Sequence, residues 1–351
     1  MTPTETQDRK PPEIPDGRVA YLVLGMHRSG TSAITQLLSL AGPELPANVM
    51  PGDEYNQKGY FEPWKVALLN DERLRAAGSA WDDAFAYPFR PLAPADDEAW
   101  IERASALFQE EYGGVRWPLL KDPRVTVLLP LWRQVFDRLS VRARCVIPVR
   151  HPLAVAGSLS RRDRFPPEKS VLIWTAYMLA AEAYTRDLHR AFVGYDALLA
   201  DWRGEVSRIE AAHAASLPRL TAAAARKIDK ALSPDLRHNA GEGDLRDLGW
   251  AGALAADVLE WFEGAAHDEP PSRRLLDEAA AELARRAADM APLVSPVARD
   301  LDVARTGALE AGRRIEILEG ELQTEHLLLE GYRKALFELE AQLDTMLAEE
   351  T

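Results

Sequence analysis

The sequence predicts an α/β fold: a parallel sheet of the phosphate-loop (P-loop) type flanked by helices, a helical C-terminal region and a terminal coiled coil. Between residues 18 and 215, short apolar runs alternate with helical patterns, which is typical of parallel strands joined by crossover helices. The first apolar run leads through a glycine-bounded polar loop into an amphipathic helix. A seven-residue leucine repeat near the C-terminus indicates the coiled coil.

The elements follow from this alternation. Strands are predicted at 19–24, 117–121, 144–150 and 191–195. Helices are predicted at 31–41, 63–77, 96–112, 124–139, 152–162, 168–189 and 202–214. Residues 50–60 and the aromatic segment 81–94 are predicted to be irregular loops, which in α/β proteins often bind substrate.

These elements divide the chain into four parts. Residues 1–17 are polar and proline-rich and are expected to form a disordered tail. Residues 18–215 form the α/β domain, 216–303 an alanine-rich helical extension, and 304–351 the coiled-coil helix. In that helix one heptad position is apolar throughout, and its alternate position is broken only at Glu325. The two positions hold Ile315, Leu322, Leu329, Leu336 and Leu343, and Leu318, Tyr332, Leu339 and Met346. We expect residues 315–346 to self-associate or to bind a coiled-coil partner; packing back on the body of the protein is the alternative.

Composition excludes several classes of protein. The 351 residues carry a net charge of −13, which argues against general nucleic-acid binding. One cysteine, Cys145, excludes a disulfide framework and suits a reducing compartment. No apolar run approaches the roughly 20 residues that span a bilayer, so we expect a cytoplasmic protein without a transmembrane segment. Residues 142–164 contain six arginines and a single acidic residue, which makes this segment a local basic region suited to a small polyanion.

The most informative motif is Gly25-Met-His-Arg-Ser-Gly-Thr-Ser32. A strand, a glycine-bounded loop and a helix N-terminus together form the layout of a phosphate-binding loop. Thr31 stands where the nucleotide-triphosphatase loop requires lysine, and Arg28 supplies the positive charge instead. The expected anion contacts are His27, Arg28, Ser29, Gly30, Thr31 and Ser32. The alternative is a strand-turn-helix connection in which the glycines only allow the turn and no anion binds.

A second motif is Arg150-His-Pro-Leu-Ala-Val-Ala-Gly-Ser158. Arg150 ends a predicted strand, and Ser158 lies about two turns into the following helix. The Arg150 guanidinium can donate two parallel hydrogen bonds to one phosphate, while the Ser158 hydroxyl donates a single hydrogen bond.

Together these motifs resemble the sulfotransferases that use 3′-phosphoadenosine-5′-phosphosulfate (PAPS), bacterial carbohydrate-type members in particular. The resemblance covers residues 18–215. It implies that the first loop holds the 5′-phosphosulfate, that Arg150 and Ser158 hold the 3′-phosphate, and that Tyr195 lies near the adenine. The family's glycine-rich 3′-phosphate element is not evident, and Arg161, Arg162 or Arg164 are the candidates to replace it, with Arg162 preferred. The product would be adenosine-3′,5′-bisphosphate.

The resemblance also suggests the catalytic groups. Glu62, in Asn56-Gln-Lys-Gly-Tyr-Phe-Glu-Pro63, is the candidate base, although an acid at a helix start is the ordinary alternative. His27 is the rival base. Arg28 and Lys121, the latter in Lys121-Asp-Pro-Arg124, would stabilise charge on the transferring group. No metal-ligand spacing is present, so a metal-independent reaction is expected.

Three hypotheses follow. The first is sulfuryl transfer to a hydroxyl of a carbohydrate or glycolipid acceptor. The second is a P-loop kinase, which would need the missing lysine and a magnesium carboxylate. The third is a scaffold, in which a degenerate nucleotide fold is carried on a coiled coil.

Overall fold

The computed structural model describes residues 17–52, 59–232 and 243–349. Within these ranges the strands form a four-stranded parallel sheet in the order β2-β1-β3-β4. They are β1 (Arg18–Val23), β2 (Leu119–Lys121), β3 (Val141–Val149) and β4 (His189–Gly194). Val23 pairs with both Lys121 and Val146, and Val149 pairs with Gly194, so the carboxyl ends of all four strands meet at one edge.

Helices flank the sheet. Those preceding residue 140 are α1 (Thr31–Leu40), α2 (Trp64–Ala76), α3 (Pro94–Tyr112), α4 (Arg124–Val127) and α5 (Leu129–Arg138). Those up to residue 231 are α6 (Pro152–Asp163), α7 (Pro167–Tyr184), α8 (Tyr195–Ala200), α9 (Trp202–Ala212) and α10 (Ala222–Ala231). The last two are α11 (Gly249–Ala266) and α12 (Arg274–Glu349). The predicted α/β class with a helix-flanked parallel sheet is confirmed.

Both faces of the sheet are buried. Along β1, Ala20 and Leu22 belong to one apolar core, while Tyr21 and Val23 belong to another on the opposite face. Strand side chains alternate between faces, so a parallel sheet covered on both sides needs apolar residues at every position. This explains why β1 appears in the sequence as a continuous apolar run.

Several predicted boundaries were wrong. The helix predicted at 124–139 is two helices, α4 and α5, because Pro130 has no N–H to continue the α4 ladder and instead lies in the first turn of α5. The helix predicted at 168–189 ends at Tyr184, and His189 already belongs to β4. Tyr195, predicted to end a strand, is the first residue of α8. Arg150 lies one residue beyond β3.

The described residues form two compact units, one ending at Ala298 and the other starting at Arg299. Within the first unit, Val258 and Phe262 of α11 belong to the same apolar core as Trp174 of α7. The expected boundaries at 215/216 and 303/304 stay predictions. The predicted tail at 1–17, apart from residue 17, and part of the loop predicted at 50–60 lie outside the described residues. In the described part of the chain, no helix combines the length and apolar character required to cross a membrane.

His213 makes the stability of the fold depend on pH. Burial lowers the pKa of His213 from 6.5 to about 4, against a hydrogen bond to Cys145 O at 3.0 Å that raises it. The folded state therefore keeps His213 neutral where the unfolded chain binds a proton, so stability falls as pH drops from about 6.5 towards 4. The loss is about 1.4 kcal/mol per pH unit.

We expect His213→Gln to weaken this pH dependence, because glutamine can still donate to the Cys145 carbonyl but does not titrate. Urea unfolding at pH 7 and pH 5 measures it. His267→Gln, at an exposed position and not among the charges that act on His213, is the control. An unchanged pH dependence in His213→Gln would contradict the assignment.

Candidate active site

The loop after β1 contains several residues with positive φ angles and is held by hydrogen bonds. Its φ angles are +131° at Gly25, +68° at Arg28 and +95° at Gly30. Gly25 N donates to Thr126 Oγ1 at 2.7 Å, and Ser29 N donates to Met26 O at 3.2 Å. Such left-handed turns in a short loop form concave backbone surfaces that bind anions. Since α1 begins at Thr31, the positive end of its dipole adds to the attraction.

Two buried side chains of this loop have polar atoms with no hydrogen-bond partner in the described ranges. They are His27 Nε2 and Ser29 Oγ, in residues 7% and 0% exposed. A buried polar atom without a partner is costly, so a site with two of them is suited to a ligand that supplies acceptors. The loop fits an anionic group.

His27 is held in its neutral form. Burial lowers its pKa well below 6.5, and the nearby positive charges of four residues lower it further. In order of effect, these residues are Arg124, Arg162, Lys121 and Arg28. A histidine with so low a pKa is a weak proton acceptor.

The two predicted anion motifs meet through Arg28. Its Nε donates to Ser158 Oγ at 2.7 Å, and its backbone oxygen accepts a hydrogen bond from Arg150 at 2.8 Å. The Arg150 guanidinium carbon lies 4.5 Å from the centre of the Tyr195 ring. Burial lowers the pKa of Arg150; Tyr195 and Asp196 oppose this shift, and the positive charge of Arg161 adds to it with a smaller effect. The carboxyl edge of the sheet thus joins groups more than 120 residues apart.

Gly30 is in close contact with Tyr195. A Cβ built on Gly30 would lie 2.3 Å from Tyr195 Cδ2, and φ at this glycine is +95°. Only glycine allows the aromatic ring to approach the loop this closely at that φ.

We therefore expect Gly30→Ala to destabilise the fold by about 1–3 kcal/mol, through backbone strain and the clash with Tyr195. Chemical unfolding measures this. Gly78→Ala is the matched control, because Gly78 has a φ of +70° but nothing within 4 Å of its added Cβ. Tyr195→Ala should rescue part of the loss in the double variant. Equal losses at both glycines would contradict the proposed close contact.

A buried ion-pair cluster stands beside the loop. Lys121 Nζ donates to Glu62 Oε1 at 2.5 Å and to Tyr60 O at 3.0 Å. Glu62 Oε2 lies 3.6 Å from the Arg124 guanidinium. Glu62 and Lys121 are each 2% exposed. The structure thus brings together two of the predicted catalytic residues, while Asn56, Gln57 and Lys58 of the Glu62 motif lie outside the described residues.

The sequence motifs indicate no role for Arg124, the cation at the centre of this cluster. Its guanidinium pairs with Asp71 at 2.5 Å and with Asp122 at 2.9 Å. Burial opposes the charge, but Asp71, Asp122 and Glu62 together raise the Arg124 pKa well above its usual range. Its position three residues after the end of β2 was the available signal. Its partner on α2, Asp71, could not be read from the sequence.

The predicted aromatic segment contributes one ring to the site. Trp81 packs edge-on against His27, with ring centroids 4.8 Å apart, and the Arg162 guanidinium carbon lies 5.4 Å from the Trp81 ring centre. Phe85 is buried in the apolar core instead. Arg162, predicted to bind the 3′-phosphate, thus lies beside Trp81, and its positive charge lowers the pKa of His27.

The remaining predicted contacts lie at the start of α1. Thr31 is buried and Ser32 is half-buried. Within the described ranges, no group of three or more His, Cys, Asp or Glu side chains is arranged to hold a metal. Metal independence stays a prediction.

The chain is similar to solved sulfotransferase domains at low identity. The Synechococcus PCC 7002 olefin synthase sulfotransferase domain is 17% identical with a TM-score of 0.39, and the match covers 81% of this chain and 98% of that domain. Sulfotransferase STF1 from Mycobacterium tuberculosis H37Rv is 12% identical with a TM-score of 0.37, covering 69% of this chain and 76% of that one. The curacin-pathway sulfotransferase domain is 13% identical with a TM-score of 0.38, covering 69% and 97%.

No protein-family model matches the chain, and no curated protein matches it.

Proposed function

We propose that this protein is a sulfotransferase that moves a sulfuryl group from PAPS to a hydroxyl of a carbohydrate or glycolipid acceptor. The observation that carries the proposal is the junction of the two anion motifs, in which Arg28 bonds to both Arg150 and Ser158. We expect a ligand held by both motifs to carry one anionic group for each of them. The acceptor class follows from the sequence resemblance.

The residues present fit this donor. The 5′ end would lie in the loop from Gly25 to Gly30, where His27 Nε2 and Ser29 Oγ have no hydrogen-bond partner among the described residues. Arg150 would hold the 3′-phosphate with two parallel hydrogen bonds, and Ser158 would donate one more. Tyr195, packed between Gly30 and Arg150, would line the nucleoside. When bound, PAPS supplies an activated sulfuryl group and leaves as adenosine-3′,5′-bisphosphate.

In this proposal Glu62 accepts the proton of the acceptor hydroxyl. Its Oε1 accepts a hydrogen bond from Lys121, and its Oε2, 3.6 Å from the Arg124 guanidinium and so beyond hydrogen-bond distance of it, is the oxygen to which we assign the proton transfer. Lys121 and Arg28 supply fixed positive charge where negative charge develops on the bridging oxygen. The low pKa of His27 makes this residue the weaker candidate for the base.

A thermal-shift experiment tests the proposal. Adenosine-3′,5′-bisphosphate at about 100 times its Kd should stabilise the protein by about 2.7 kcal/mol, a rise of several degrees in Tm. ATP with magnesium should not, because Thr31 stands where a kinase loop has its lysine. Stabilisation by ATP–magnesium but not by the bisphosphate would overturn the sulfotransferase assignment and favour a kinase. Stabilisation by neither would favour a scaffold.

A further inference from the structure

An apolar stripe runs along α12 inside the second unit. We call it the heptad stripe; its a positions hold Ile315, Leu322, Leu329, Leu336 and Leu343, and its d positions hold Leu318, Glu325, Tyr332, Leu339 and Met346. The apolar members are between 46% and 68% exposed. Over residues 315–346 the stripe is roughly 48 Å long at about 1.5 Å per residue. An exposed apolar surface of this length marks an interface.

The charges beside the stripe identify the partner. In a parallel, in-register pair, each g residue faces the e residue five positions later in the other helix. Arg314 then faces Glu319 of the second copy, and Glu321 faces His326. The later g residues are uncharged: they are Leu328, Ala335 and Gln342. A parallel pair of identical chains therefore has complementary g–e contacts and no like-charged ones.

The antiparallel pairing of the same stripe is unfavourable. In an antiparallel pair, the a residues of one helix pack against the d residues of the other. The e residues of the two helices then face each other. Glu319 would face Glu340, and His326 would face Arg333. The Glu319–Glu340 contact brings like charges together, and it occurs twice in the pair because each helix supplies both residues.

We propose that residues 315–346 form a parallel, in-register coiled coil with a second copy of this chain. This interface does not depend on the reaction proposed above. Glu325 from each copy meets in one d layer, which lowers stability and fixes the register, as single polar core residues do in coiled coils. The apolar layers on both sides supply the driving force.

A charge reversal distinguishes the two orientations in the full-length protein. Glu319→Arg faces Arg314 in the parallel pair and should weaken the dimer about tenfold in Kd, as measured by sedimentation equilibrium. In the antiparallel pair the same change would face Glu340 and strengthen the dimer. Glu316→Arg, at the outward b position, is the matched control and should leave the dimer unchanged. A monomeric wild-type protein at about 10 μM, or a strengthened Glu319→Arg dimer, would overturn the proposal.

A disulfide test gives an independent measurement. Leu339→Cys should form a disulfide-linked dimer under mild oxidation, because equivalent d residues meet only in a parallel, in-register pair. Glu338→Cys, one residue earlier and outside the seam, is the control. The native Cys145 is buried, and burial raises its pKa to about 12, so it should not compete. Equal cross-linking of both variants, or of neither, would contradict the parallel seam.

Discussion

Glu62→Gln is expected to lower kcat by about 10²–10⁴-fold, the usual contribution of a general base. Glutamine keeps the size of the side chain and can still accept from Lys121, so the cluster should retain its shape. It cannot take up the acceptor's proton. Because Glu62 lies beside the loop and is not assigned to donor binding, the Kd for adenosine-3′,5′-bisphosphate should stay within about threefold. Steady-state kinetics and calorimetry measure the two quantities.

Two further variants make this test specific. Glu110→Gln removes an exposed carboxylate that pairs with Lys65, and it should leave kcat unchanged. His27→Gln addresses the rival base and should change donor binding more than kcat, because the neutral ring lies inside the loop. A loss of kcat with His27→Gln but not with Glu62→Gln would transfer the base role to the histidine. Equal losses of kcat and donor affinity would remove Glu62 from that role.

Arg150→Ala is expected to lower the preference for a 3′-phosphate by about 10- to 100-fold. A hydrogen bond to a charged group is worth about 1.5–3 kcal/mol, and each 1.4 kcal/mol changes Kd tenfold. The informative quantity is the ratio of the Kd values for 5′-AMP and adenosine-3′,5′-bisphosphate. Arg150 also bonds to Arg28 O, so the loop itself will be perturbed. Both ligands share the 5′ end, and the ratio cancels that common effect.

Arg142→Ala is the matched control for this variant. It removes an exposed arginine from the opposite end of the same strand, β3, and should leave the ratio unchanged. Arg150→Lys keeps the positive charge but loses the planar guanidinium that donates two parallel hydrogen bonds. We therefore expect a ratio of Kd values between those of the wild type and Arg150→Ala. A ratio unaffected by Arg150→Ala would show that the 3′-phosphate is held elsewhere, and Arg161, whose charge acts on Arg150, would be the next candidate.

The motifs of the site could be read from the sequence because each is local. The loop from Gly25 to Ser32 needs only a strand before it and a helix after it, and hydrophobic patterning predicted both. Arg150 and Ser158 lie on one strand end and the next helix, so their spacing is set by regular geometry. Helix ends were less predictable. The break between α4 and α5 depends on Pro130, and the end of α7 at Tyr184 followed no strong local signal.

Contacts between distant segments could not be predicted in the same way. Arg124 is held by Asp71, which lies on α2 more than 50 residues away in sequence, and charge patterns alone do not select one acid among many. The contact of Gly30 with Tyr195 joins the first loop to the start of α8. The low pKa of His27 requires burial and several cations at once. Each depends on which segments the sheet places side by side.

The sequence by itself determined the class of fold, the two motifs that we predict to bind anions, and the heptad stripe, because strand alternation, loop glycines and heptads act over a few neighbouring residues. The tertiary structure decided that both motifs meet through Arg28, that Glu62 is paired with Lys121 and close to Arg124, and that Trp81 packs against His27. The physical reason is the strand order. Parallel pairing places the four carboxyl ends on one edge, so residues that follow β1, β2 and β3 reach hydrogen-bonding distance of one another, and Tyr195, which follows β4, packs against Arg150.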